Sequence, residues 1–134
     1  MTGNVDLPRT VAPATGSETA DAEHGVQLAL LEAAITAVND LSRDTAPELV
    51  DQLHEYTQAH FMSEQLLLRQ SARPNYDGHL EDHERLMKEL DGARQLLTEG
   101  DYPGTLSALR AHHSKLLDHI RSWDRTIEET PVQA

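Results

Sequence analysis

Apolar residues recur at three- and four-residue intervals through four successive segments of this chain, and the first three runs end at helix-stopping signals. That spacing lines the apolar side chains along one face of a helix turning 3.6 residues at a time, and nowhere does a period of two suggest strands. Leu28, Leu31, Ile35 and Val38 form the first stripe, which fades at "NDLSRDTAP" and predicts a helix over about 19 to 42. Asp44 or Thr45 can cap the next helix, with Pro47 in its first turn, where a missing N–H costs nothing. Its stripe is Leu49, Leu53, Tyr56, His60 and Leu67, and the helix should stop before Pro74, giving about 46 to 71. A third stripe, His79, His83, Leu86, Leu90 and Leu97, ends at Gly100, which suits a left-handed C-terminal position. Asp101 and Pro103 open a fourth helix whose apolar side holds Leu106, Leu109, Leu116, Ile120, Trp123 and Ile127.

Four amphipathic helices joined by short loops predict an all-α fold, an antiparallel up-down-up-down four-helix bundle. Lengths of about 22 to 27 residues, or roughly 33 to 40 Å, suit helices that share one long core. At 134 residues one domain is expected, over residues 18–134. The first 17, "MTGNVDLPRTVAPATGS", mix Pro, Gly and Thr without periodicity and are expected to form a flexible arm. Eleven basic residues stand against 23 acidic ones, a formal charge of −12, which argues against nucleic acid and anionic membranes as partners. The absence of cysteine removes disulfides, thiolate metal sites and thiol nucleophiles together. With no leader-like N-terminus and no run of about 18 apolar residues, the expectation is a soluble, cytoplasmic protein.

Histidine is the anomaly, with eight residues. His24 lies one turn before Leu28 on the first stripe, His60 and Glu64 lie on the second, and His79 and His83 begin the third. On the fourth helix His119 and Asp124 are five residues apart, so in α geometry they leave it about 140° apart and flank the core. In an antiparallel bundle all these positions fall at one end. Five imidazoles and two carboxylates then converge on one level of an apolar interior, at a cost of several kcal/mol unless each finds a partner.

A single histidine on an apolar stripe is ordinarily a hydrogen-bonded core residue, but four stripes delivering such groups to one level point to metal. Seven ligands are too many for one tetrahedral zinc and suit two ions of higher coordination number bridged by the carboxylates. Nitrogen and oxygen donors without sulfur are acceptable to iron, manganese or zinc. His54 lies off its stripe and is assigned to the helix surface. His112 lies about 10 Å before His119, too far to share its metal, and with His113 is assigned to the core edge or surface.

Taken in order, "DAEH" ending at His24, "HFMSE" from His60 to Glu64, "PNYDGHLEDH" through His79 to His83, and "HIRSWD" from His119 to Asp124 resemble the hemerythrin family, in particular its bacterial members. The resemblance covers about residues 20 to 128. It implies that His79, His83 and His119 bind one iron and His24 and His60 the other. Glu64 and Asp124 would bridge the two iron ions beside an oxo or hydroxo group, leaving an open position at the second. It further implies reversible binding of dioxygen for transport, storage or sensing, with nitric oxide or azide as other small ligands and a fused signalling domain as a possible partner.

Leu28, Leu116 and Ile120 lie within about one turn of a ligand and serve either as an apolar oxygen pocket or as ordinary core. Tyr56 and Trp123 read as packing residues. Three rival readings stay open: a di-iron oxidase or peroxide-handling enzyme, a regulatory module, and a two-zinc structural bundle. The enzyme reading is weakened because no Glu-x-x-His, the paired motif of ferritin-like di-iron proteins, occurs. Gln65, Arg73 and the polar arm depart from the family pattern.

Overall fold

The structure, a computed structural model, describes residues 11–70 and 76–124. It contains four α-helices, α1 (Glu18–Asn39), α2 (Thr45–Gln70), α3 (Tyr76–Thr98) and α4 (Tyr102–His119), and a π-helical turn, Ile120–Asp124, directly after α4. No strand occurs among the described residues. The predicted end of the second helix at 71, its stop before Pro74, residue Arg73, the apolar position of Ile127 and residues 1–10 lie outside them.

Helix ends follow from local hydrogen bonding. Ser17, in an extended conformation, accepts from the Ala20 N–H at 3.2 Å and so caps α1. Just before it, the Thr15 hydroxyl and amide both donate to Asp21 Oδ1, at 2.8 and 2.9 Å, and Thr15 is buried. Asp101 caps α4 by accepting from the Gly104 N–H at 2.9 Å, with Pro103 in the first turn.

α1 and α3 end in the same paired arrangement. The Ser42 N–H donates to the Ala37 carbonyl and Leu41 to Val38; likewise Asp101 donates to Leu96 and Gly100 to Leu97. The residue turning the chain is left-handed in both, Gly100 at φ 81° and Leu41 at φ 57°. This motif ends α1 at Asn39, three residues short of the expected 42. A leucine there costs about 1–2 kcal/mol, and at 59% exposure it returns little packing. Leu41→Gly is therefore expected to stabilise the chain by about 0.5–1 kcal/mol after the extra freedom of the unfolded glycine is deducted. A rise of a few degrees in Tm would show it.

α1 packs on α2 and α4, and α3 packs on the same two, closing a ring around a single core. Leu28, Leu31, Leu53, Leu90, Leu109, Leu116 and Ile120 are wholly buried there. Each such side chain contributes about 1.5–3 kcal/mol by leaving water. On α2 the buried line runs through Val50, Leu53, Thr57, His60, Phe61, Glu64 and Leu68. The expected stripe member Leu67 is instead 52% exposed. The line drifts because i+3 and i+4 steps alternate, and from Glu64 the four-residue step leads to Leu68.

His112, expected at the core edge or surface, is fully buried, with Nδ1 3.4 Å from Glu89 Oε1. The half-buried carboxylate of α3 gives the imidazole the partner that makes its burial tolerable.

Gly78 on α3 allows a close approach by Trp123 of the π-helical turn. A Cβ added there would lie 2.7 Å from Trp123 Cη2. Gly78→Ala gains helix propensity of about 0.5–1 kcal/mol but overpacks the indole at about 1–3 kcal/mol. The expected result is a lowered Tm with a shifted tryptophan emission.

Candidate metal centre

The ligand-type side chains arrive by helical arithmetic. His60 and Glu64 on α2, and His79 and His83 on α3, are four residues apart and so leave one face of each helix. His24 comes from the second turn of α1, and all seven predicted residues are buried. The early turns of α1 and α3 meet the late turns of α2 and the π-helical turn after α4: His24 Nε2 lies 3.4 Å from Glu64 Oε2, and His79 Nε2 lies 2.9 Å from Asp124 Oδ1.

The fourth helix does not keep the α geometry that would set His119 and Asp124 about 140° apart. From Ile120 to Asp124 it widens into a π-helical turn. Bonding from i to i+5 brings residues five apart to the same side, and His119 Nε2 lies 3.0 Å from Asp124 Oδ1. The pair therefore shares one line into the core.

The seven residues sort into two groups whose donor atoms lie within 4.8 Å of one another: Glu64, His79, His83, His119 and Asp124; and His24, His60, Glu64 and Asp124. The carboxylates belong to both, and their oxygens divide between them. Glu64 Oε1 is 3.0 Å from His83 Nε2, while its Oε2 is 3.2 Å from His60 Nε2. Asp124 Oδ1 is 2.9 Å from His79 Nε2, while its Oδ2 is 2.9 Å from His24 Nε2.

All five histidines aim Nε2 inward. His60 Nδ1 lies 2.7 Å from Glu23 Oε1 and His119 Nδ1 lies 2.6 Å from Asp82 Oδ2. A carboxylate only accepts, so each of these Nδ1 atoms donates, and Nε2 is the nitrogen that presents a lone pair once the ring is neutral. His83 Nε2 and His119 Nε2 face each other at 3.2 Å. His60 Nε2 and Asp124 Oδ2, though buried and close to other polar atoms, have no hydrogen bond of acceptable geometry. An orphaned buried group costs about 1–3 kcal/mol, and a cation at the common focus of these lone pairs removes that cost. The donor set therefore fits metal ions taking nitrogen and oxygen ligands.

Among themselves, the groups pair as imidazolium and carboxylate. Burial opposes charge on His24 and His119, but bonds to Asp124 and to Glu64 or Asp82 outweigh it and lift both to about 9. His60 is raised despite its burial, by Glu64 and Glu23. His83 is lowered, because burial and the neighbouring His119 and His79 prevail over its bond to Glu64. Burial works against ionisation of Glu64 and Asp124 as well, yet the three histidines close to each hold both well below the ordinary carboxylate range. Asp82 is held at about 2, chiefly by its bond to His119.

His54, His112 and His113 stay outside both groups, against Asp91, Glu89 and Glu32 respectively. Leu28, Leu116 and Ile120 are buried members of the common core. Tyr56 donates its hydroxyl to the Glu23 carbonyl at 3.3 Å, tying α2 to α1.

Glu23, Asp82 and Phe61 escaped the sequence reading. Phe61 stacks on His83 with ring centroids 4.0 Å apart and planes 7° apart, fixing that imidazole. Glu23 and Asp82 each immediately precede a ligand-type histidine but orient a histidine on another helix, which no spacing rule reveals. Gln27 and Thr57 were also missed. Both are buried, about one turn from His24 and His60, with Gln27 Nε2 3.5 Å from Thr57 Oγ1.

A family model described as the hemerythrin HHE cation-binding domain matches residues 15–130. Comparison with curated proteins one at a time gives no match. The family match takes in all four helices and every residue of both donor groups. The chain belongs to the hemerythrin family, as an HHE cation-binding domain.

Proposed function

We propose that this domain holds two iron ions and binds dioxygen reversibly, for transport, storage or sensing. The observation that carries the reading is the division of Glu64 and Asp124, each with one oxygen in the three-histidine group and the other in the two-histidine group. Carboxylates divided in this way could each serve an ion in both groups. In this reading His79, His83 and His119 hold one ion and His24 and His60 the other, in an antiparallel up-down-up-down bundle. The meeting of His24 near the start of α1 with Glu64 near the end of α2 supports that order.

When bound, a ferrous pair supplies two electrons that can be lent to dioxygen and recovered on its release. The chain's own residues do the rest. Glu23 and Asp82 hold His60 and His119 with their Nε2 lone pairs inward, and Phe61 holds the plane of His83. Leu28, Leu116 and Ile120 keep water from the buried side, favouring release of the gas as dioxygen over its loss to water in reduced form. With two anionic side chains rather than four, the centre is less electron-rich than ferritin-like sites, which favours binding over oxidation of substrates.

Metal analysis with an optical spectrum under air tests this. Two irons per chain and a visible charge-transfer band that bleaches on reduction and returns with oxygen are expected. A colourless zinc protein overturns the reading, and steady turnover of peroxide or an organic substrate replaces it with an enzyme.

A further inference from the structure

The two-histidine group is not sealed. A cleft of about 120 Å³ between the first turn of α1 and the last turns of α2 reaches it, and its walls include His60, Glu64 and Asp124. Toward solvent the lining continues through Ser17, Glu23 and Ser63. The Glu23 side chain is 37% exposed while its Oε1 reaches His60 Nδ1, so one carboxylate spans surface and centre. Two buried atoms without hydrogen-bond partners, His60 Nε2 and Asp124 Oδ2, belong to residues in the cleft wall.

The charge of this cleft selects what it admits. Glu23, Glu64 and Asp124 give it three carboxylates against the single imidazole of His60, within a chain of formal charge −12. The amino end of α1 contributes only about half a positive charge, and it is met by Glu18 and Asp21 in that turn and by the carboxyl end of α2 across the cleft. A small cation is drawn in and an anion is repelled, while a neutral gas feels little of either.

We propose that this cleft is the port through which divalent iron reaches the centre, with Glu23 as the carboxylate that first receives it and passes it to His60, Glu64 and Asp124. The proposal rests on the metal-binding reading above. It concerns the path of loading rather than the occupied site.

Anaerobic uptake of ferrous iron by the metal-free protein, quenched at intervals with a chelator, tests it. Ser63→Trp narrows the mouth and Glu23→Gln removes the receiving charge while keeping an acceptor for His60. Gln58→Trp, on the same helix, lines the separate cleft beside His83 and serves as control. Both port variants are expected to slow uptake at least tenfold, Ser63→Trp with an unchanged final iron content and unchanged circular dichroism, while Gln58→Trp matches wild type. Normal rates in both port variants, or equal slowing in all three, overturn the port and leave the centre standing. Wild-type protein that takes up no iron overturns the centre and the port together.

Discussion

Glu64→Ala is expected to yield a folded chain that retains neither metal ion. Glu64 is the α2 carboxylate in both donor groups, with Oε1 directed at His83 and Oε2 at His60. Loss of an outer-shell partner alone costs about 10–100-fold in metal affinity, so removing a carboxylate that belongs to both donor groups should cost more than ~100-fold at each. His79→Ala removes a donor from one group only, and should weaken the three-histidine ion by a comparable factor while leaving the other group its own set. His54→Ala should change nothing, because His54 faces Asp91 at 2.6 Å, away from both groups. Metal content after dialysis against a competing chelator checks the series, and equal losses in His79→Ala and His54→Ala would refute the sorting of the histidines. In the metal-free chain Glu64→Ala also strips an acceptor from His24, His60 and His83, but these can shed protons, so the cost should fall below the 3–5 kcal/mol of a broken buried ion pair. Glu64→Gln keeps the shape and one acceptor and removes only the charge, which separates loss of ligation from loss of fold.

Stability and metal affinity should respond to pH in opposite directions. In the metal-free chain His24 and His119 are raised from 6.5 to about 9, so their contribution is complete below about pH 6.5 and is lost as pH rises through 9. Glu64 and Asp124 are depressed, so theirs is complete above the ordinary carboxylate range and is lost as pH falls well below it. The metal-free protein is therefore expected to be most stable at roughly pH 5–6.5 and to lose Tm steadily toward pH 9. Ligation needs neutral imidazole, so the same two histidines must shed protons to bind metal. Loading at pH 7 should release about two protons from His24 and His119, and affinity should climb about 100-fold between pH 7 and pH 8. Binding heats measured in buffers of different ionisation enthalpy give the proton count. A heat independent of buffer would contradict the paired imidazolium and carboxylate arrangement.

The four helices were legible because each carries its own apolar stripe and the first three their own stops, and because Gly100, Asp101 and Pro103 do at the start of α4 what their chemistry dictates. Six of the seven groups at the centre follow from four-residue spacing or from a place on a stripe. Asp124 does not, since α-helical rotation turns it away from His119 and only the π-helical turn brings it back. A π turn has no sequence period of its own. It is sustained here by the pairing of Asp124 with His24 on α1 and His79 on α3, which is tertiary.

Elsewhere the same limit appears. Leu67 and Leu68 are alike in composition, and only the drift of the buried line chooses between them. His112 is buried because Glu89 on another helix reaches it. Glu23 and Asp82 look like any charged residues on a solvated face until the bundle sets them beside His60 and His119.

Because the division of two carboxylates between two donor groups is what implies a pair of ions, counting those ions is the decisive measurement. Anaerobic titration of the metal-free protein with ferrous iron, followed by equilibrium dialysis, should saturate at two ions per chain, and Glu64→Ala should abolish both. Saturation at one ion, or a second ion that survives in Glu64→Ala, would show that Glu64 and Asp124 do not bridge.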